Sequence, residues 1–304
     1  MYAIFYPGLL KNKNSWRYPL GMFLLLTAVT VNSQANPEVF LIKLEQTKTT
    51  LQPGIPVNIS NNAGYDNQPS FYNDNLVLFS STRNKQTDIA AYALNKDSII
   101  WKTNTPGGSE YSPLKIPGSK NFSAIRLDED GKQLLYEYTW KTGRSKPVVK
   151  DLKVGYHLWF NEDILVSTVL VENRMDLVVS NLRDQTNYTF QRNVGRSLHK
   201  IPNSALISFI SKENDEWILK SMDPLSGATR IITTLPEGTQ DMCWLIDGSV
   251  LAGQDNRLFR YTPGKGNSWQ LFAEFPEEEF GTITRLATNA ISSLLLMVAE
   301  IPDN

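Results

Sequence analysis

Gly64-Tyr65-Asp66-Asn67-Gln68-Pro69-Ser70-Phe71, followed by Leu76-Val77-Leu78-Phe79-Ser80-Ser81, carries the repeating unit of this chain. It reads as a turn, a short strand, a two-residue Asp74-Asn75 hairpin signal and a second, apolar strand. Two further strands follow at residues 88–94 and 98–102, after the polar links 83–87 and 95–97. Four strands closed by tight turns make an antiparallel meander.

The unit recurs. It restarts at Glu110-Tyr111-Ser112-Pro113, at Gly155-Tyr156-His157, at Gly195-Arg196-Ser197 and beside Asp241. Matching starts at Tyr65, Tyr111, Tyr156, Arg196, Asp241 and Thr282 lie roughly 40–46 residues apart, the spacing of a four-stranded propeller blade. Leucine-rich repeats are shorter, and helical repeats of this length would show a 3.6-residue period that is absent here. The sixth copy has only two strands, around Ile283-Thr284-Arg285-Leu286 and Leu294-Leu295-Leu296-Met297-Val298-Ala299. Near the other end, residues 39–45 and 57–59 form an orphan pair with no first half. The expected fold is therefore all-β, a six-bladed β-propeller over residues 38–301 with four-stranded antiparallel blades. Its last blade is closed by N- and C-terminal strands, which removes exposed sheet edges.

Composition bounds the function. The 304 residues are 41% hydrophobic and 20% charged with net charge −1, so no basic excess argues for nucleic acid. One cysteine, Cys243, excludes an intramolecular disulfide, and two histidines cannot make a three-histidine zinc centre. No metal or other cofactor is expected, and the molecule is read as a monomer. Residues 1–33 read as a signal peptide. Lys11, Lys13 and Arg17 precede an apolar run of about 13 residues, shorter than the roughly 20 of a membrane-spanning helix. Val31 and Ser33 then stand at the −3 and −1 positions of a cleavage site, with Gln34 as the mature start. Export to the periplasm or medium is expected, with no stable membrane insertion after the leader is removed.

The GYDNQPSF unit, with LVLFSSTR and TDIAAYAL after it, resembles the WD40-like repeat of TolB-type propellers. GYHLWF at 155–160 and GRSLHKIP at 195–202 look like phrases of exported bacterial six-bladed propellers of that kind. The resemblance covers residues 38–300 and implies the fold and export. It departs from TolB in having no segment for the additional N-terminal α/β domain, so it lends little support to a role with the Tol–Pal machinery. A repeat specific for a fold leaves the function open.

Propeller ligands sit at the mouth of the central channel. Aligning the copies brings Gln68, Ser112, Tyr156, Ser197, Asp241 and Arg285 to one position, with Asn67, Tyr111, Gly155, Arg196, Gln240 and Thr284 just before it. Adding Tyr65, Asp66 and Glu110 gives a rim of carboxylates, arginines and aromatic faces, ringed by the loops entering the innermost strands. His157 and His199 fall at successive positions of that strand, so one is expected to point toward a blade face. The candidate ligand-binding set is Tyr65, Asp66, Glu110, Tyr111, Tyr156, His157, Arg196, Ser197, His199, Asp241 and Arg285. The plainer reading is that these groups hydrogen-bond converging strand ends. A Ser197–His199–Asp241 hydrolase lacks the Gly-x-Ser-x-Gly elbow, and no catalytic residue is assigned. The expected function is a non-enzymatic binding or scaffold module for a protein partner or small polar ligand. A hydrolase or lyase acting on a small or carbohydrate-like substrate is the alternative. Cys243 is read as a buried apolar filler, and Pro276-Glu277-Glu278-Glu279 as a solvated loop.

Overall fold

A strand without a polar face must be covered on both sides. The second strands of the repeats, among them Leu76–Arg83, Ile164–Val171, Ile207–Ser211 and Leu294–Glu300, have no polar face, and each is sandwiched between neighbouring blades. The computed structural model describes residues 36–302 except 49, 240 and 267, so the expected leader and Gln240 lie outside the described residues. Within them the chain forms six antiparallel sheets, five of them up-and-down meanders of consecutive strands, and no helix. The innermost strands are Asp66–Asn73, Gly108–Lys115, Val154–Trp159, Val194–Lys200, Met242–Trp244 and Ile283–Thr288. Blades are numbered one to six in that order.

The core is six separate layers, one between each pair of adjacent blades. The period of two along a strand assigns the side chains. Leu295, Met297 and Ala299 face blade five with Leu251 and Leu258, whereas Leu296 and Val298 face blade one with Val77 and Phe79. Leu78 points the other way, onto Phe122 and Tyr138 of blade two. Ile207 and Phe209 face blade three, and Ile210 faces Met242 and Trp244 of blade five. Cys243 is buried between blades five and six, as a small apolar filler would be, while Glu277, Glu278 and Glu279 are solvated.

Blade six is assembled from distant parts of the chain. Strand Pro37–Gln46 pairs with Leu294–Glu300 from Pro37↔Glu300 to Lys43↔Leu294. Its outer position is occupied in two pieces, Leu51–Pro53 and Val57–Asn58, where the sequence had suggested one. Pro53 and Pro56 cannot donate to a ladder, so the outer strand breaks between them. Gly54 turns the chain there and donates its N–H to the Lys43 carbonyl at 2.8 Å.

The inner strands begin earlier than expected. Asp66 and Asn67, read as part of a turn, pair with Ser81 and Ser80, and the register then slips before Ser70 pairs with Leu78. The slip is a bulge in which Gln68 takes a φ of 56°. It interrupts the alternating pattern, and so hides the first half of the strand from a period-two reading.

Candidate functional site at the channel

Bulges bend a strand and redirect side chains. Five of the six inner strands carry one at the aligned positions: between Asn67 and Ser70, Tyr111 and Leu114, Val154 and Tyr156, Val194 and Leu198, and Ile283 and Arg285. From this belt toward the C-terminal ends of the strands, residues of all six blades enclose a cavity of about 450 Å³, within the usual range of small-molecule pockets, ~300–1,000 Å³. Tyr156, His157, Arg196, Ser197, His199, Asp241 and Arg285 of the expected set line it. Its charged walls are three cations, Arg196, Lys200 and Arg285, against the single carboxylate of Asp241.

Some of these groups hold the ring together. Gln68 Oε1 accepts from the Ser112 N–H at 2.9 Å, Ser197 Oγ from the Met242 N–H at 3.3 Å, and Asp241 Oδ2 from the Leu286 N–H at 3.4 Å. The three bonds link blades one to two, four to five and five to six. Asp241 also accepts from the Met242 N–H at 3.0 Å, so its oxygens are engaged by backbone donors. Here the plainer reading holds.

The arginines differ. Arg196 gives one Nη hydrogen to the Thr284 carbonyl, 2.7 Å away, across the channel in blade six. Arg285 reaches the Tyr156 hydroxyl at 3.3 Å, lies 5.1 Å from that ring's centroid, and stands 3.9 Å from Asp241. Burial, then the neighbouring charge of Arg285, pulls the Arg196 pKa down. Arg196 Nε, Arg285 Nε, Thr284 Oγ1 and Ser112 Oγ are buried with no hydrogen-bond partner among the described residues.

Four expected rim residues stand elsewhere. Tyr65, Asp66, Glu110 and Tyr111 precede the bulges and are not cavity walls. The rim was expected at the loops entering the inner strands; the cavity lies on the opposite side of the bulges. Tyr65 and Tyr111 pack edge to face, 6.1 Å between centroids, and burial pushes the Tyr65 hydroxyl up to about 12. Asp66 and Glu110 are fully buried. Glu110 accepts from the Tyr138 hydroxyl at 3.1 Å, and Thr103 Oγ1 lies 3.2 Å from both Glu110 and Asp88, which share its single hydrogen. Blade six repeats the device, with Ser60 Oγ donating to Glu38 at 2.5 Å and accepting the Val39 N–H, beside Asp66. Burial raises both Asp66 and Glu110 to about 7. Glu110 is an interblade fastener, tying blade two to Thr103 at the edge of blade one, whereas both Asp66 oxygens are buried with no hydrogen-bond partner among the described residues.

The histidines divide. His157 lies 2.7 Å from Ser123 Oγ in blade two, which also accepts from Trp159 Nε1 at 2.8 Å. Burial lowers its pKa to about 3, so it is a neutral lock between blades. His199 Nε2 lies 3.1 Å from Ser197 Oγ, so these i, i+2 neighbours share a face and do meet. Among the described residues no three His, Cys, Asp or Glu side chains converge as a metal group.

Sequence reasoning left Lys200, Gln68 and Ser112 out of the candidate set. Gln68 and Ser112 stood at the aligned position and could have been found there. Lys200 follows His199 on the same strand and carries no motif of its own.

No known family profile matches the chain, and no curated protein matches it by sequence. Solved structures do. A protein described as TolB from Agrobacterium tumefaciens superposes with a TM-score of 0.69 at 10% identity, over 89% of this chain and 100% of that one. A gluconolactonase from Xanthomonas campestris gives a TM-score of 0.59 at 10% identity, over 88% and 97%. TolB from Acinetobacter baumannii gives 0.55 at 12% identity, over 86% of this chain and 63% of its own. At such identities the likeness speaks for architecture, and the chain has the TolB-like six-bladed β-propeller fold.

Proposed function

We propose that this protein is an exported, non-enzymatic binding module that grips a small polar ligand, or a short segment of a protein partner, in the cavity of the central channel. The observation that carries this reading is the pair Arg196 and Arg285. They project from different blades into one cavity that only the closed ring assembles, and both keep buried donors without acceptors. Such groups contribute little to the fold and much to a ligand held from several directions. No helix among the described residues is long and apolar enough to cross a membrane, which accords with export.

The contact between Ser197 and His199 favours a second reading, a hydrolase or lyase acting on a small or carbohydrate-like substrate. It is the weaker one, since Ser197 and Asp241 are both engaged by backbone N–H groups of the next blade.

Replacing both arginines in one variant, Arg196→Ala with Arg285→Ala, separates ligand gripping from ring building. The expected result is a melting temperature within a few degrees of the parent, because two neighbouring cations are removed along with their few bonds. Binding of the ligand or partner recovered from envelope extract is lost. A variant that melts far lower while still binding would make the arginines structural and end the channel reading.

A further inference from the structure

The charge inside the cavity narrows the ligand's chemistry. Three cations face one carboxylate, and that carboxylate already accepts two backbone hydrogens. Asp241 is 3.9 Å from Arg285 and makes no hydrogen bond to it, so it offsets the excess positive charge only in part. Arg285 is 8% exposed, and burying a cation is costly unless a charge-bearing acceptor reaches it. Each guanidinium spends donors on a neutral oxygen, the Thr284 carbonyl or the Tyr156 hydroxyl, and keeps its Nε–H unused. Guanidinium groups with free donors match the two oxygens of a planar carboxylate. Around them, Phe71, Pro113, Leu158 and Leu286 give the cavity apolar walls that could cover the body of such a molecule. Lys200 stands exposed at the cavity wall on the same strand as Arg196, placed to draw an anion in.

Resting on the channel reading above, we infer that the ligand presents a carboxylate, which binds between Arg196 and Arg285 with its remaining body against the apolar walls. The carboxylate can belong to a small hydroxy acid or to the C-terminus of a peptide, and the two are separable by experiment.

Calorimetric titration of the wild-type protein with matched probes tests this. The pairs are N-acetyl-trialanine against its C-terminal amide, and D-gluconate against D-glucose, with inorganic phosphate as a third anion. At least one acid is expected to bind while its neutral counterpart does not, and the pair that responds identifies the source. Arg196→Met and Arg285→Met, which keep the apolar stem, each weaken that acid about tenfold or more, as loss of a charged hydrogen bond implies. Lys200→Glu, an exposed change that leaves the buried structure alone, weakens it severalfold. Acid and neutral probes binding alike, with loss in the arginine variants, would leave the channel as the site but overturn the carboxylate. Acid binding indifferent to all three substitutions would place the site elsewhere and overturn the channel reading as well. Binding of phosphate alone, or of no acid at all, overturns the inference.

Discussion

At pH 8 the Glu110→Gln variant is expected to be more stable than the wild-type protein, and at pH 4.5 the two are expected to melt together. Glu110 is fully buried among Thr103, Tyr138 and Asp88, and burial raises its pKa from 4.5 to about 7. A carboxyl whose folded pKa exceeds its unfolded one favours folding while both states are protonated. That contribution is lost as the pH rises from about 4.5 to about 7, and no more is lost above. At about 1.4 kcal/mol per unit, the loss is on the order of 3 kcal/mol. Glutamine keeps an oxygen for one of the two hydroxyls, offers its NH2 to the other, which then accepts, and never ionises. The gain at pH 8 should therefore appear as roughly 6–10 °C in melting temperature for a domain of this size. The wild-type curve alone would not reveal it, because His157 acts oppositely. With its pKa lowered from 6.5 to about 3, the stability it contributes is present above 6.5 and lost as the pH falls toward 3. Denaturant melts of both proteins across pH 4.5–8 give the difference curve. Parallel profiles would mean that Glu110 ionises in the folded protein as freely as in the unfolded one.

Removing residues 39–45 should abolish the cooperative fold. Phe40, Ile42 and Leu44 fill the layer against blade five, and Val39 fills the layer against blade one. Burying side chains of this kind contributes about 1.5–3 kcal/mol each. Four of them reach the scale of a whole domain's stability, about 5–15 kcal/mol. The deletion also strips the ladder from Leu294–Glu300, leaving an apolar edge that recruits other chains. The expected outcome is aggregation on expression, or a soluble species without a sharp thermal transition. Ile42→Ala, a milder cut in the same layer, should fold and lose about 2–5 kcal/mol. A deletion variant that melts like its parent would mean that blade six does not need this strand.

The architecture was legible because its signals are local and repeated. Largely apolar second strands, hairpin turns such as Asp74-Asn75 and a steady spacing of starts sufficed for six blades and for the closing strand at 39–45. The site was harder to read because it depends on bulges. One extra residue in the inner strand decides whether a side chain enters the channel or the layer between blades, and nothing in Gly64-Tyr65-Asp66-Asn67-Gln68 marks where it falls. Alignment by sequence therefore put Tyr156, Arg196, Asp241 and Arg285, which line one cavity, in the same set as Asp66 and Glu110, which do not. The break in the outer strand of blade six was visible in Pro53 and Pro56, but the short segment before it offers no apolar pattern.

The pairing of Val39 with Val298 also sets an order in time. Blades one to five are each built from neighbouring segments and can form as local hairpins soon after their residues emerge. The strand carrying Val39 emerges before any of them, and its partner only after all of them. Throughout synthesis its only ladder partners are the short outer pieces Leu51–Pro53 and Val57–Asn58, and the contact that joins it to the ring spans almost the whole described chain. Contacts at such separation cost the most chain entropy and form slowly. Ring closure is then expected to come last, and until it happens blade six lacks the ladder that covers the apolar edge of Leu294–Glu300.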